Sequence, residues 1–176
     1  MQEEFLKIPK ERVAVLIGAE GSTKRKVEKL AAIRLKVDSG NGEVEISSAK
    51  ADGFAFMKAV SVVKAIARGF NPEKALMLLD ENHSLEIIEL EELLGKSDKT
   101  INAKKGRVIG EQGRAREKIE RETGTYLSVY GRTISIIGRL DDIPKAKKAI
   151  EMLIEGAMHR TAYKYLENRQ KEGFEI

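Results

Sequence analysis

Residues 106–138 read GRVIGEQGRAREKIERETGTYLSVYGRTISIIG, and the segment Val108-Ile109-Gly110-Glu111-Gln112-Gly113 near its start decides how the rest is read. An aliphatic pair runs into a glycine, two polar residues follow, and a second glycine opens a basic amphipathic stretch, Arg114 to Thr123. The same shape occurs 92 residues earlier, in LIGAEGSTKRKVEKLAAIRLKV from Leu16. At that offset Ile17 meets Ile109, Gly18 meets Gly110, Gly21 meets Gly113, Lys26 meets Lys118 and Val27 meets Ile119. The register continues through Leu35 with Leu127 and Val37 with Val129. Self-similarity of this length marks a repeated structural unit, and its common pattern is I-G-x-x-G-x-x-x-x-x-[VI].

Period and punctuation extend the two segments into elements. In the first copy EEFLKI alternates as a strand, Lys10 to Ile17 reads as a helix ended by glycine, and Ser22 to Ala32 as a second helix. Ile33–Val37 and Glu43–Ser47 pair as a hairpin across SGNG, and Ala51–Arg68 is a long helix with Phe56, Val60, Val63 and Ala67 on one face. A linker helix follows, with Asn71 as cap and Pro72 at its first position. The second copy repeats the order with SLEIIEL as strand, helices over 102–109 and 114–123, a hairpin over 126–138 and a helix over 143–155. That last helix is expected to bury Ile143, Ala146, Ile150, Leu153 and Ile154, and a further helix with Met158, Ala162, Tyr165 and Leu166 runs to a frayed end. Glu91-Glu92 reads as a solvated connector and Asp141-Asp142 as a cap on the helix that follows. The expected domains are 1–80, with the linker helix, and 81–176, with the C-terminal helical tail.

Composition removes whole classes of function. There is no cysteine among 176 residues, so disulfide scaffolds, thiolate metal sites and thiol nucleophiles are excluded together. Only two histidines, His83 and His159, are present, far apart in sequence, and no metal or cofactor is expected. No apolar run approaches the roughly 18 residues of a membrane span, and the acidic start is unlike a signal peptide, so a cytoplasmic protein is expected. No Walker pattern is present, and a helix precedes the glycine loop where a nucleotide-binding fold would place a strand. The chain is therefore not expected to be an enzyme, and no catalytic residue is assigned.

Charge narrows the choice further. The chain carries 32 basic and 28 acidic residues, yet Lys96 to Arg121 alone holds nine basic against four acidic ones. The excess gathers around the second glycine pair, as expected where phosphates are tracked. A glycine without Cβ lets a sugar–phosphate chain lie close against the turn, and the helix beginning just after it aims unpaired N–H groups at the same place. The first copy is basic after its loop as well, at Lys24, Arg25, Lys26 and Lys29, but its variable pair is Ala19-Glu20 and that of the second is Glu111-Gln112, neither carrying a positive charge.

Two glycine pairs of this kind, each inside a strand-helix-helix-strand-strand-helix unit, resemble paired KH domains. The resemblance implies an α+β fold of two tandem type I KH domains, each a three-stranded sheet with helices on one face, plus a linker helix and a C-terminal helix. KH modules clamp four nucleotides of single-stranded nucleic acid at such loops. The implied RNA site comprises Arg107, Val108, Ile109, Gly110, Glu111, Gln112, Gly113, Arg114, Arg116 and Lys118, with Leu127 and Val129 on the facing strand. Gly18, Ala19, Glu20, Gly21, Lys24 and Arg25 form a second candidate site, for RNA or for protein. Over the whole chain, and most strongly over 106–156, the sequence resembles the small-subunit pre-rRNA processing factors of the Dim-two or partner-of-Nob-one family in their compact archaeal form. That resemblance implies binding of single-stranded rRNA near the 3′ end of the small-subunit precursor. It also implies an adaptor role beside the PIN-domain endonuclease and other ribosome-assembly or translation-initiation proteins. An adaptor of the exosome type is the alternative, and a phosphate-substrate enzyme a more distant one.

Overall fold

The first strand, β1 (Gln2–Lys7), alternates half-buried and exposed residues, and Pro9 then fixes the turn into α1 (Lys10–Ile17). These come from a computed structural model that describes residues 1–172. After a single 3-10 turn at Ala19–Gly21 come α2 (Ser22–Ala31), β2 (Arg34–Val37), β3 (Glu43–Ser48) and α3 (Gly53–Ala67). The strands order as β1-β3-β2, antiparallel throughout, with Phe5 opposite Glu45 and Leu35 opposite Ile46. Val44 and Ile46 of β3 are buried while Glu43 is exposed, so the alternation read from the sequence puts one face of the sheet on the core. Val13, Leu16, Val27, Phe56 and Val63 meet that requirement from the helices, all buried. Asp52 caps α3 through Ala55 N–H at 2.8 Å, and Asn71 caps the linker helix α4 (Pro72–Leu76) through Lys74 N–H at 2.9 Å.

The chain divides into two units, Met1–Leu85 and Glu86–Ile176. The second sheet orders as β4-β6-β5 and is built from β4 (His83–Glu89), β5 (Tyr126–Tyr130) and β6 (Thr133–Arg139). Its helices are α5 (Leu90–Leu94), α6 (Asp98–Ile109), α7 (Arg114–Thr123), α8 (Ile143–Ile154) and α9 (His159–Glu172). The result is a mixed α+β fold with two three-stranded antiparallel sheets. A core of Leu90, Ile101, Val108, Ile119, Leu127, Ile134, Ile150 and Leu153, joined by Ala162 and Leu166 of α9, holds this unit together.

Several local readings change. Glu91 and Glu92 belong to the short helix α5, whose Leu90 is fully buried, and not to a solvated connector. Helix α6 starts at Asp98, earlier than apolar period suggests, because Ser97 Oγ accepts the Thr100 N–H at 3.3 Å. Asp142 makes no side-chain cap on α8 and instead pairs with Lys145 at 3.5 Å. Met158 lies ahead of α9 and is exposed. In β6 every residue from Thr133 to Gly138 is buried, so this strand is covered on both faces, unlike β3 with its exposed Glu43. The frayed C-terminal end lies outside the described residues.

Candidate nucleic-acid interface

The two glycine loops have one backbone conformation. Gly18 sits at φ 73°, ψ 173° and Gly110 at φ 74°, ψ 173°. Glu20 and Gln112, neither a glycine, are both left-handed at φ 53° and φ 55°, and Gly21 and Gly113 follow at φ 76° and φ 77°. A non-glycine residue in the left-handed region costs about 1–2 kcal/mol, so both units hold the same strain at the same place. Strain of this kind collects where a ligand is gripped.

The two glycines of each loop do different work. A Cβ on Gly110 would lie 2.7 Å from the Ala115 backbone nitrogen, and one on Gly18 2.7 Å from that of Thr23. The first glycine is therefore required for the loop to fold onto its own helix. A Cβ on Gly113 would meet nothing within 4 Å, so only this second glycine leaves open space for a backbone approaching from outside. At Gly21 the corresponding space is partly taken, with Arg25 Nη1 3.0 Å from a Cβ built there. The sequence reading gave backbone access to both glycines, and in the structure open space lies beside the second alone.

Around the second loop, Glu111, Gln112, Arg114 and Arg116 are exposed, and neither arginine has an ion-pair partner among the described residues. Other members of the expected site have intramolecular tasks. Arg107 donates to the Ala157 carbonyl, and its own carbonyl lies 2.8 Å from His159 Nε2, so it ties α6 to the α8–α9 connector. Lys118 bonds Glu122 and Glu167, each at 2.9 Å. These bonds, to Glu167 first and Glu122 second, hold its ammonium above the ordinary lysine value. Val108 and Leu127 are buried in the core, whereas Ile109 and Val129 are half-buried. In the first loop Ala19 and Glu20 are exposed, and Lys24 makes a 3.7 Å pair with Glu28.

A groove of about 410 Å³ beside the first loop is lined by Lys10, Val13, Ala14 and Ile17 of α1, by Gly18, and by Ser39 of the β2–β3 turn. Carried forward by 92 residues, Val13 becomes Lys105 and Ser39 becomes Gly131. Those two positions are joined in the second unit, where Lys105 Nζ donates to the Gly131 carbonyl at 2.7 Å. Arg132 adds bonds from the same turn to Glu91 at 3.1 Å and Asp98 at 2.7 Å. The second groove thus has its two rims pinned together by cationic side chains, while the first has an apolar wall and no side-chain bridge from α1 to Ser39 among the described residues.

Sequence reasoning missed Lys105, and it also missed Glu28 and Glu120. Each of those carboxylates accepts the N–H of the second residue of the strand after its helix, Leu35 and Leu127, at 2.8 Å in both units. The 92-residue register pairs Glu28 with Glu120 and could have shown it. Among the described residues no cluster of three His, Cys, Asp or Glu is placed to hold a metal ion, and no helix is long and apolar enough to cross a membrane.

Residues 84–171 match the family model for the second KH domain of Pno1, described as a eukaryotic-type KH domain, type I. A KH domain-containing protein of Methanocaldococcus jannaschii is 44% identical over 171 residues, covering 96% of this chain and 74% of that one. The pre-rRNA-processing protein pno1 of Emericella nidulans is 30% identical over 149 residues, and the chain spans 57% of its length. Among solved structures, Dim2p from Pyrococcus horikoshii superposes with a TM-score of 0.89 at 46% identity, over 96% of this chain and 99% of that one. A chain of the a/eIF2alpha–aDim2p–rRNA complex from the same organism gives 0.90 at 46% identity, over 97% of this chain and 95% of that one.

Proposed function

The chain belongs to the Pno1/Dim2-type family of KH-domain proteins, and from that premise we propose that it holds single-stranded small-subunit rRNA or its precursor near the 3′ end. In this reading the Gly110–Gly113 loop seats the phosphates, Arg114 and Arg116 supply charge, and Ile109 and Val129 offer apolar surface to bases. Val108 and Leu127 support that surface from the core, and Arg107 fixes α6 behind it. The observation that carries the reading is the empty space beside Gly113 in a strained loop followed by two exposed arginines, Arg114 and Arg116, that have no ion-pair partner among the described residues. The complex of aDim2p with rRNA and a/eIF2alpha adds support for both an RNA partner and a translation-initiation protein as partner.

The first unit is a second KH module in this proposal, on the strength of the shared loop conformation and the shared Glu28 and Glu120 ties. Its unbridged groove and Arg25-covered loop suit it to a protein partner, with the PIN-domain nuclease that trims the rRNA 3′ end among the candidates. The chain itself holds the substrate and does not cut it, working in the cytoplasm on assembling small subunits.

The test compares two double variants, E111D/Q112D and A19D/E20D, each of which adds one negative charge. A charge about 5 Å from a phosphate repels it by about 1–3 kcal/mol at effective dielectric constants between those of water and a protein surface. Binding of an rRNA 3′-end oligonucleotide is expected to fall about five- to 150-fold for the first variant and far less for the second. Undiminished affinity of a folded E111D/Q112D protein refutes the site.

A further inference from the structure

Helices α7 and α9 enclose a cleft of about 430 Å³ that begins at Arg114, the residue directly after Gly113. Its walls are Arg114, Glu117, Lys118 and Arg121 from α7, and Tyr163 and Glu167 from α9. Positions 114, 118 and 121 fall on one face of a helix by their spacing, so the cations form a row leading away from the glycine loop.

The lining is unequal in what it has free. Lys118 is bound to Glu122 and Glu167, and its Nζ lies 5.8 Å from the centre of the Tyr163 ring. That arrangement, with the His159 ring at 6.1 Å and 63° to Tyr163, fixes the phenol in place. The Tyr163 ring is half-buried and its hydroxyl has no hydrogen-bond partner among the described residues. Arg114 has no ion pair there, and Arg121 is 69% exposed with only a 3.8 Å approach to Glu122. Glu117 and Glu167 are the opposing charges. A half-buried aromatic ring between two exposed arginine side chains is an arrangement that binds single-stranded nucleic acid without reading its sequence, the ring stacking a base and the arginines meeting phosphates.

We propose that the α7–α9 cleft takes the nucleotide flanking those held by the glycine loop, stacking its base on Tyr163 and contacting its phosphates through Arg114 and Arg121. This inference rests on the RNA-binding reading of the loop and extends the footprint beyond the roughly four nucleotides of a KH groove. The first unit has neither an α9 counterpart nor an aromatic residue at such a place, so the extension belongs to the second unit alone.

The experiment measures binding of four-nucleotide RNAs from the small-subunit rRNA 3′ end, and of the same RNAs lengthened by two nucleotides at either end. The full chain is used, native and as Y163A, Y163F, R121A and E111D/Q112D. Lengthening at one end is expected to tighten binding by about five- to 150-fold, the value of one stacked base. Y163A and R121A should remove most of that gain while leaving the short RNA unchanged, and Y163F should keep it. A gain that survives both Y163A and R121A, or no gain at either end, overturns the proposal. Equal losses on short and long RNA would assign Tyr163 a purely structural role and overturn it as well. E111D/Q112D binding the short RNA as tightly as the native chain would instead remove the loop reading beneath it.

Discussion

Replacing each glycine of the second loop by alanine separates folding from binding. Gly110 lies at φ 74°, ψ 173°, a region open essentially to glycine alone and costing other residues about 1–3 kcal/mol. Its new Cβ would also press within 2.6 Å of the Ala115 Cβ and 2.7 Å of its nitrogen, at the rigid start of α7. Relief requires the loop and helix to separate, so G110A is expected to destabilise by about 3 kcal/mol or more, the range of serious core damage. Gly113 lies at φ 77°, ψ 10°, left-handed but with nothing within 4 Å of a Cβ, and G113A should cost only about 1 kcal/mol. At about 2–4 °C per kcal/mol for a chain of this size, thermal melts followed by circular dichroism should drop by about 6–12 °C for G110A and about 2–4 °C for G113A. RNA binding measured well below both melts should show the reverse emphasis, with G113D weakened strongly while still folded. Equal melting losses for G110A and G113A would refute the division of labour between the two glycines.

Other outcomes follow from the repeat. Ala32 ends α2 at φ 54° where Gly124 ends α7 at φ 66°, so A32G should stabilise the first unit by about 1 kcal/mol in urea denaturation, and G124A should destabilise the second by a similar amount. E120Q weakens the charged acceptor of the Leu127 N–H and should cost about 1 kcal/mol, with faster amide exchange at Leu127 as the direct reading. Lys118 is held above its ordinary pKa of 10.5, so its pairing is fully stabilising below that pH and is lost as pH rises through the higher folded value. The native chain should therefore lose more stability than K118M as pH is raised above 10.5. Asp80 is lowered from 3.8, chiefly by the Asn82 backbone N–H and then by His83, so its contribution is present above pH 3.8 and disappears on acidification through the lower folded value. D80N should flatten that part of an acid titration.

The fold was legible wherever hydrophobic period and glycine punctuation agreed. Helix α1, helix α7 and the buried face of α8 fall where the sequence places them, because apolar residues at helical spacing leave one register. What could not be read were elements held by polar groups acting over distance. The early start of α6 depends on Ser97 and on Arg132 reaching Asp98 from 34 residues away. Helix α5 owes its place to two leucines of LEELL, Leu90 buried in the core and Leu94 packed against it, which are too few to show a period. Capping was half legible: Asn71 before Pro72 is a local signal, whereas Asp142 has the right type at the right place and points its carboxylate to Lys145.

For the site, residue type identified the loop and proved weaker at assigning tasks around it. Arg107, Arg114, Arg116 and Lys118 are equivalent as charges in a sequence, yet two of them have committed partners and two do not, and only partners tell them apart. The comparison between the repeats supplies what a single unit cannot. The same groove positions hold Val13 and Ser39 in one unit and a 2.7 Å bond from Lys105 to Gly131 in the other, with the loop geometry unchanged. In the RNA-binding reading proposed above, a nucleotide entering between α6 and the β5–β6 turn meets the Lys105–Gly131 bond first, and displacing it turns the ammonium toward the incoming phosphate. K105A removes the barrier and the new contact together, so the affinity for an rRNA 3′-end oligonucleotide is expected to change little while its dependence on salt concentration becomes shallower, and an unchanged salt dependence would refute the phosphate contact. The loop backbone is the same in both units, so the difference between them lies in side chains, Arg25 beside Gly21 and Lys105 across the second groove.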